Sequence, residues 1–277
     1  MSYVKPDAVL DQMVQAGTAK ARLAVTDLLV RGFLSGALLG FATTLAFTAT
    51  LQTHVGLVGA LVFPVGFVMI VLLGLELVTG NFALLPLALR ERRIGLGELL
   101  GNWGLVFAGN LAGSLFYAWL FTLTVAPDSE MARQLIAVAE AKTLGYAKLG
   151  AHGVLVAVAK AILCNWMVTL GVVMALTSQS TGGKIAAMWL PILTFFGQGF
   201  EHSVVNMFAI PAGMMMGAGV GMRDWWLWNQ IPVTLGNIVG GMLFTGMALQ
   251  LTYRKRVAAA AEPAVAPTVQ RELAAGG

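Results

Sequence analysis

The stretch "GFEHSVVNMFAIP", residues 199–211, places a glutamate beside a histidine within an apolar segment of about residues 184–221. Ionisable side chains inside a membrane-length apolar segment are costly, so they usually have a function or a specific partner. A second stretch, "GLELVTGNFALLP", residues 74–86, shares with it the pattern G-x-E-x4-N-x4-P. We therefore expect the two stretches to form equivalent local structures.

Each stretch is followed, 26 or 28 residues after its glutamate, by a second shared pattern, N-x6-G-N-x2-G. This pattern is "NWGLVFAGNLAG" from Asn102 and "NQIPVTLGNIVG" from Asn229. The match predicts that the second and third membrane spans repeat as the fifth and sixth. Because each repeat holds three spans, an odd number, the second copy enters the membrane in the opposite direction. Such inverted repeats place a substrate site near the membrane midplane, where two broken helices meet.

The composition is that of an integral membrane protein. Of 277 residues, 58% are hydrophobic and 11% charged, and the mean hydropathy is +0.80, whereas soluble domains hold about 25% charged residues. Six apolar stretches reach the roughly 20 residues that a helix needs to cross a bilayer. They are about residues 30–50, 57–89, 100–124, 152–177, 184–219 and 230–252. The second and fifth are too long for one straight helix and contain Glu, Gly, Asn and Pro, so each predicts a helix broken inside the membrane.

The expected fold is an all-α membrane protein with six transmembrane helices, an inverted repeat and two broken helices. Residues 1–28 are predicted to contain a short cytoplasmic interfacial helix. A transport domain is expected over residues 29–256, with its repeats at about 29–125 and 150–256. Residues 257–277 are rich in Ala and Pro and predict a disordered cytoplasmic tail.

The distribution of basic residues predicts the orientation. With a cytoplasmic N-terminus, twelve Lys and Arg residues fall on the cytoplasmic side and four on the outer side, in agreement with the positive-inside rule. The first 27 residues are charged and lack a continuous apolar run, so no cleavable signal peptide is expected. A cytoplasmic rim facing anionic lipid accounts for the net charge of +4. We therefore expect a multi-pass protein of the inner membrane with both termini cytoplasmic and no nucleic-acid partner.

Four blocks of the sequence carry a resemblance to a known family: "GFEHSVVNMFAIP", "LELVTGN", "ILCNWMV" and "PVTLGNIVGG". Over about residues 5–256 the chain resembles the formate/nitrite transporter family. The resemblance implies an aquaporin-like six-helix protomer, a homopentamer, and one pore per protomer for small monovalent anions. Formate is the expected substrate and nitrite the next, and a nitrite or hydrosulfide channel of the same family is the alternative.

The resemblance also implies which residues line the pathway. His202 matches the central pore histidine, and Thr79 matches the threonine of the loop that breaks the second span. Leu77 matches an apolar constriction on one side of this pair, and Phe63 and Phe195 match aromatic constrictions on the other.

Two kinds of polar pathway residue are implied as well. Asn165 and Asn237 match pore-lining asparagines. A basic residue at the outer start of the fourth span belongs to the family's pattern, and Lys148 matches it best. Counting back from Asn165 puts Lys148 one residue off register, so Lys160 is the alternative.

The other polar residues of the two stretches are expected to be structural. A carboxylate facing the path would repel anions, so Glu201 and Glu76 are predicted to point away and to bind neighbouring groups. Asn81 and Asn206 are predicted to bind the loop backbone that each break leaves without partners.

The expected mechanism follows from solvation. An anion in an apolar constriction loses its hydration at high cost, whereas the neutral acid does not. His202 is predicted to share a proton with the substrate at the midplane, which makes transport proton-linked. An anion channel in which a neutral His202 only donates a hydrogen bond is the rival mechanism.

Other classes of function fit the sequence less well. A single cysteine and three scattered histidines supply no metal set or nucleophile constellation, so neither an enzyme, a cofactor nor a metal is expected. A neutral-solute channel of the aquaporin type would share the inverted repeat, but the Asn-Pro-Ala motif expected at each of its half-helices does not occur here.

Overall fold

The structure, a computed structural model, describes residues 3–253, and this part of the chain consists of helices joined by turns and short loops. In chain order the helices are α1 Pro6–Ala21, α2 Val25–Thr53, α3 Gly56–Leu72, α4 Val78–Arg90, α5 Leu96–Thr122, α6 Glu130–Lys142, α7 Leu144–Ala147, α8 Ala151–Leu176, α9 Thr181–Gly197, α10 Ser203–Met215 and α11 Met222–Tyr253. The tail predicted for residues 257–277 lies outside the described residues. The described part of the chain is therefore all-α, as the composition predicts.

Four helices, α2, α5, α8 and α11, are long and apolar enough to cross a membrane. They contain 29, 27, 26 and 32 residues, and at about 1.5 Å per residue each exceeds the roughly 30 Å hydrocarbon layer. The last of them includes two wider, π-type segments, Trp226–Gln230 and Gly240–Met247.

Each of the two longest apolar stretches of the sequence is divided between two helices, α3 with α4 and α9 with α10. The division occurs at Gly74 and Gly199, whose φ angles are 64° and 65°, a left-handed conformation that costs glycine little. After each glycine, the next N–H bonds to the carbonyl five positions back, at 2.9 and 3.1 Å. This pattern ends a helix and turns the chain, so equivalent glycines stop equivalent helices.

Glycines also set the close packing of the long helices. A Cβ added to Gly36 of α2 would overlap the backbone of Asn110 in α5, and one added to Gly240 of α11 would overlap the backbone of Ile162 in α8. Small residues at such crossings let two backbones approach within the membrane. The pairs α2/α5 and α8/α11 therefore frame the two halves of the molecule.

Helix α1 lies against the end of α4 rather than apart from the helical bundle. Its apolar side, Val9, Leu10, Met13 and Val14, is buried. The cluster that this side joins contains Leu84, Leu85, Leu87, Ala88, Ile94, Leu99 and Val173. Just before α1, the N–H of Val4 bonds to the carbonyl of Thr177 at 2.8 Å. The first helix is thus attached to the body of the protein along its length.

Candidate functional site

The two loops that separate α3 from α4 and α9 from α10 meet at a buried polar contact. Thr79 is the second residue of α4, and His202 immediately precedes α10. The Thr79 hydroxyl and Nε2 of His202 are 3.0 Å apart, and both residues are buried. The structure therefore brings together the two residues that the sequence placed at the centre of the pathway.

The hydrogen bond at the second ring nitrogen of His202, Nδ1, determines which residue donates in the contact with Thr79. Nδ1 accepts the backbone N–H of Val205 at 3.2 Å, so the imidazole caps the first turn of α10. A nitrogen that accepts a hydrogen bond carries no proton, which places the proton of a neutral imidazole on Nε2. His202 in this geometry is a neutral donor to Thr79.

Of the two aromatic residues predicted to constrict the path, Phe195 lies directly on His202, and Phe63 lies against Phe195. The Phe195 ring stacks on the imidazole with 5.5 Å between centroids. Phe63 contacts Phe195 edge to face at 5.6 Å, and both phenylalanines are buried. One face of the imidazole is therefore covered by the ring of Phe195.

Leu77 occupies in the first loop the position that His202 occupies in the second. Each is the residue immediately before the following helix, α4 or α10. Leu77 lines a cavity of 260 Å³ beside α1, called here the α1 cavity. Its walls are mostly apolar, and Lys20 and Lys184 are the charged residues of its lining.

The glutamate of the first loop, Glu76, is bound by a buried network. It forms an ion pair of 2.7 Å with Lys20 of α1. Asn81 donates to the same carboxylate at 2.9 Å and to Asn102 at 2.9 Å. Asn102 in turn donates to the backbone carbonyl of Lys20 at 3.0 Å, so the network closes on itself and ties α1 to α4 and α5.

The glutamate of the second loop, Glu201, has an equivalent network. Lys142 of α6 forms an ion pair with it at 2.9 Å, and Asn206 donates to it at 2.7 Å and to Asn229 at 2.8 Å. Asn229 donates to the backbone carbonyl of Lys142 at 3.0 Å. The Tyr146 hydroxyl also donates to Glu201, at 2.7 Å. The contacts of Glu76 described above include no equivalent tyrosine. Both carboxylates are thus surrounded by donors.

Asn110 and Asn237 hold the two loops in the same way. The side-chain oxygen of each accepts the first N–H of α4 or α10, at 3.0 and 2.8 Å. The amide of each donates at 2.9 Å to the carbonyl of the loop glutamate. It also donates to α2 or α8, at the carbonyl of Gly32 or Ala161, both at 2.8 Å. The structure therefore places Asn237 as a backbone anchor of the loop.

Asn165 joins the two halves. Its amide donates to the carbonyl of Thr79 at 3.0 Å and to that of Asn237 at 2.6 Å. Its side-chain oxygen is buried without a hydrogen-bond partner among residues 3–253.

The ammonium that reaches the second loop belongs to a lysine that the sequence did not single out, and the two lysines predicted for the path lie elsewhere. Lys148 is exposed at the end of α7, and Lys160 contributes its backbone carbonyl, which accepts the N–H of Glu201 at 3.4 Å. Lys142 supplies the ammonium.

Lys20 and Lys142 hold equivalent positions on their helices, because the buried residues before each lysine have the same spacing. The buried positions Leu10, Met13 and Gly17 precede Lys20 by ten, seven and three residues, and Ala132, Leu135 and Ala139 precede Lys142 by the same intervals. Helices α1 and α6 therefore belong to the repeated unit.

Comparison with known proteins agrees with this architecture. The family model described as formate/nitrite transporter matches residues 7–251. An uncharacterized transporter, YrhG, of Bacillus subtilis is 37% identical over 92% of this chain and 96% of its own length. A probable formate transporter of Methanothermobacter thermautotrophicus is 38% identical over 87% and 97%. The solved structure of a pentameric formate channel with formate bound is 27% identical, with a TM-score of 0.70 over 83% of this chain and 98% of that one.

The membrane-length helices of the described chain define a multi-pass membrane protein. The family match covers nearly the whole described chain. The protein belongs to the formate/nitrite transporter family, as the four sequence blocks predict. Its relatives are channels and transporters, so its function is transport rather than catalysis.

Proposed function

We propose that this protein moves formate across the membrane, along a path that passes the contact between Thr79 and His202. The observation that carries the proposal is this contact, 3.0 Å between two buried polar groups contributed by the two loops. A relative described as a probable formate transporter and a neighbouring structure with formate bound support formate as the substrate.

The proposed path crosses a bundle of six transmembrane segments. Helices α3 and α4 form one broken segment, and α9 and α10 form the other. The equivalent networks of Glu76 and Glu201 support this arrangement, because they tie each loop to its own half of the molecule. With the orientation given by the basic residues, α1 lies on the cytoplasmic side and α6 on the outer side of an inner membrane.

The cost of desolvation determines whether the substrate passes as the anion or as the neutral acid. The ideal cost of moving a small anion from water into a low-dielectric interior is of order 20 kcal/mol. Leu77 on one side and Phe63 and Phe195 on the other offer no hydrogen bonds, so we propose proton-linked transport in which these constrictions are passed as the neutral acid. Polar groups at the centre, His202 and Thr79, supply the hydrogen bonds between them.

The geometry supports His202 as a neutral donor at this point. Nε2–H is directed to Thr79, and a carboxylate oxygen arriving there would take the place of the hydroxyl as acceptor. The predicted proton relay also requires a change of protonation at Nδ1. For Nε2 to give its proton to the substrate without leaving an imidazolate, Nδ1 must take up a proton from water, and it then no longer accepts the N–H of Val205. A relay is therefore coupled to release of the cap of α10, whereas hydrogen-bond donation is not.

The remaining polar residues have supporting roles in this proposal. Glu76, Glu201, Asn81 and Asn206 stabilise the loops. The carboxylates bind lysines and the loop asparagines, and these asparagines bind Asn102 and Asn229. We further propose a homopentamer in membrane lipid with one path per protomer, in accordance with the pentameric neighbour.

Reconstitution into proteoliposomes tests the function. Uptake of formate, nitrite, hydrosulfide, acetate and glycerol is compared by stopped-flow at equal gradients, with internal pH recorded by an enclosed dye. We expect formate to be fastest, nitrite to follow, and proton entry to accompany formate. Glycerol passing faster than every anion would favour a neutral-solute channel and would contradict the proposal.

A further inference from the structure

The α1 cavity is lined by positively charged residues that have not been assigned to the path. Its lining includes two lysines, Lys20 and Lys184, and no aspartate or glutamate. Asn81 also lines the cavity, but its amide donates to Glu76 and Asn102. The rest of the lining is apolar, with Phe67 and Ile70 among its walls. An anion that enters this cavity would therefore be attracted by the lysines.

The two lysines differ in how much of their charge is available. Lys20 is held at 2.7 Å from Glu76, whose side chain is only 2% exposed, so this charge is compensated at close range. Lys184 lies near the start of α9 and is partly exposed. Among residues 3–253 it takes part in none of the ion pairs. The uncompensated charge of the cavity is therefore that of Lys184.

We propose that Lys184 is the anion-capture residue of the α1 cavity. A small monovalent carboxylate or similar anion is held near its ammonium before it reaches Leu77. The role rests on the proposed function, and it adds a binding residue on the side of the path opposite Phe63 and Phe195. The flexible stem and three N–H donors of lysine suit this task, because the ammonium can follow a small anion without fixing its orientation.

The expected effect is modest and depends on salt. In water-like surroundings, a unit charge about 6 Å away concentrates a monovalent anion about threefold. Replacing the positive charge by a negative one then lowers the local anion concentration about tenfold. In about 1 M salt the Debye length falls to about 3 Å and most of the difference disappears. A purely structural role of the side chain would not have this salt dependence.

Chemical modification of a cysteine introduced at position 184 tests the effect of charge separately from a structural role of the side chain. Cys164 is the only cysteine of the chain and is buried, so Cys164→Ala provides a background without reactive thiols. In this background, Lys184→Cys is assayed untreated, after 2-aminoethyl methanethiosulfonate, which adds an ammonium, and after 2-sulfonatoethyl methanethiosulfonate, which adds a sulfonate. Formate flux is measured in proteoliposomes at low ionic strength, below half-saturation, and again in 1 M potassium chloride.

We expect flux to fall about threefold in Lys184→Cys, to return with the ammonium and to fall about threefold further with the sulfonate. The three forms should converge in high salt. Lys5→Cys is the matched control, since Lys5 is an exposed lysine beside α1 that is not part of the cavity lining. Its flux should not respond to either reagent.

Two results would overturn the proposal. Equal flux from all three forms of Lys184→Cys would show that no charge is needed, and a loss that the ammonium does not restore would assign Lys184 a structural role. Failure of the unsubstituted protein to move formate would instead refute the proposed function, and the capture role with it.

Discussion

Replacing Glu201 by Gln should destabilise the protein without changing which anion it selects. Glu201 is 2% exposed and pairs at 2.9 Å with Lys142, whose side chain is 21% exposed. A glutamine keeps the shape and one acceptor oxygen but removes the charge that Lys142, Asn206 and Asn229 are directed at. Breaking a buried ion pair typically costs about 3–5 kcal/mol. Because Lys142 is partly exposed and can turn toward water, we expect about 2–3 kcal/mol for Glu201→Gln.

The opposite substitution, Lys142→Met, should cost more, about 3–5 kcal/mol, because it leaves the carboxylate buried without its cation. Combining it with Glu201→Gln should recover part of the loss, so the two effects should be less than additive. At roughly 2–4 °C per kcal/mol for a chain of this size, Glu201→Gln should unfold about 4–12 °C and Lys142→Met about 6–20 °C below the parent.

Thermal unfolding of the detergent-solubilised protein measures this order, and anion flux in proteoliposomes is recorded for the same variants. Asp27→Asn is the control, since its pair with Arg31 is long, 3.8 Å, and exposed, and such pairs contribute about 0–1 kcal/mol. An unfolding temperature unchanged in Glu201→Gln, together with altered preference between formate and nitrite, would refute the structural role and place the carboxylate in the path.

Three further predictions concern the central histidine, a loop glycine and α1. His202→Asn keeps a hydrogen-bond donor, so formate flux should retain nearly the parent's dependence on external pH from about 5 to 8; loss of proton entry with a persisting anion leak would favour the relay instead. Gly199→Ala should lower the unfolding temperature by several degrees, because a left-handed conformation costs a non-glycine residue about 1–2 kcal/mol; unchanged melting would contradict the assigned φ of 65°. Met13→Asp places a carboxylate at a position that is 0% exposed and should detach α1, seen as faster limited proteolysis between Pro6 and Ala21; unchanged proteolysis would contradict its packing on α4.

Local signals in the sequence predicted much of this architecture. The family was identified from four short blocks, and that identification is confirmed. The equivalence of Gly74 with Gly199 could be read because a left-handed helix end needs glycine at one fixed place, so spacing alone reveals it. Long apolar runs likewise reveal helices of membrane length, because length and hydropathy are local properties.

The lysines of the two networks were not predicted, for a physical reason. Lys20 and Lys142 lie on short amphipathic helices, which by composition resemble surface helices. Their partners are 56 and 59 residues further along the chain, and only the packing of α1 on α4 and of α6 on α10 brings each pair together. The resemblance directed attention to a basic residue of the path, for which Lys148 was predicted, and not to a partner of either glutamate.

The position of Asn165 has a consequence for how the protein can move. This side chain of α8 binds the carbonyl of Thr79 in one half and that of Asn237 in the other, beside the contact of Thr79 with His202. Many inverted-repeat transporters expose their site alternately by rocking one repeat against the other. Here such rocking would break the two buried hydrogen bonds that cross between the halves, from Asn165 to the carbonyl of Thr79 and from His202 to the hydroxyl of Thr79. We therefore expect the backbone of the two halves to stay fixed during turnover, with passage controlled by rotation of the side chains at Leu77, Phe63 and Phe195.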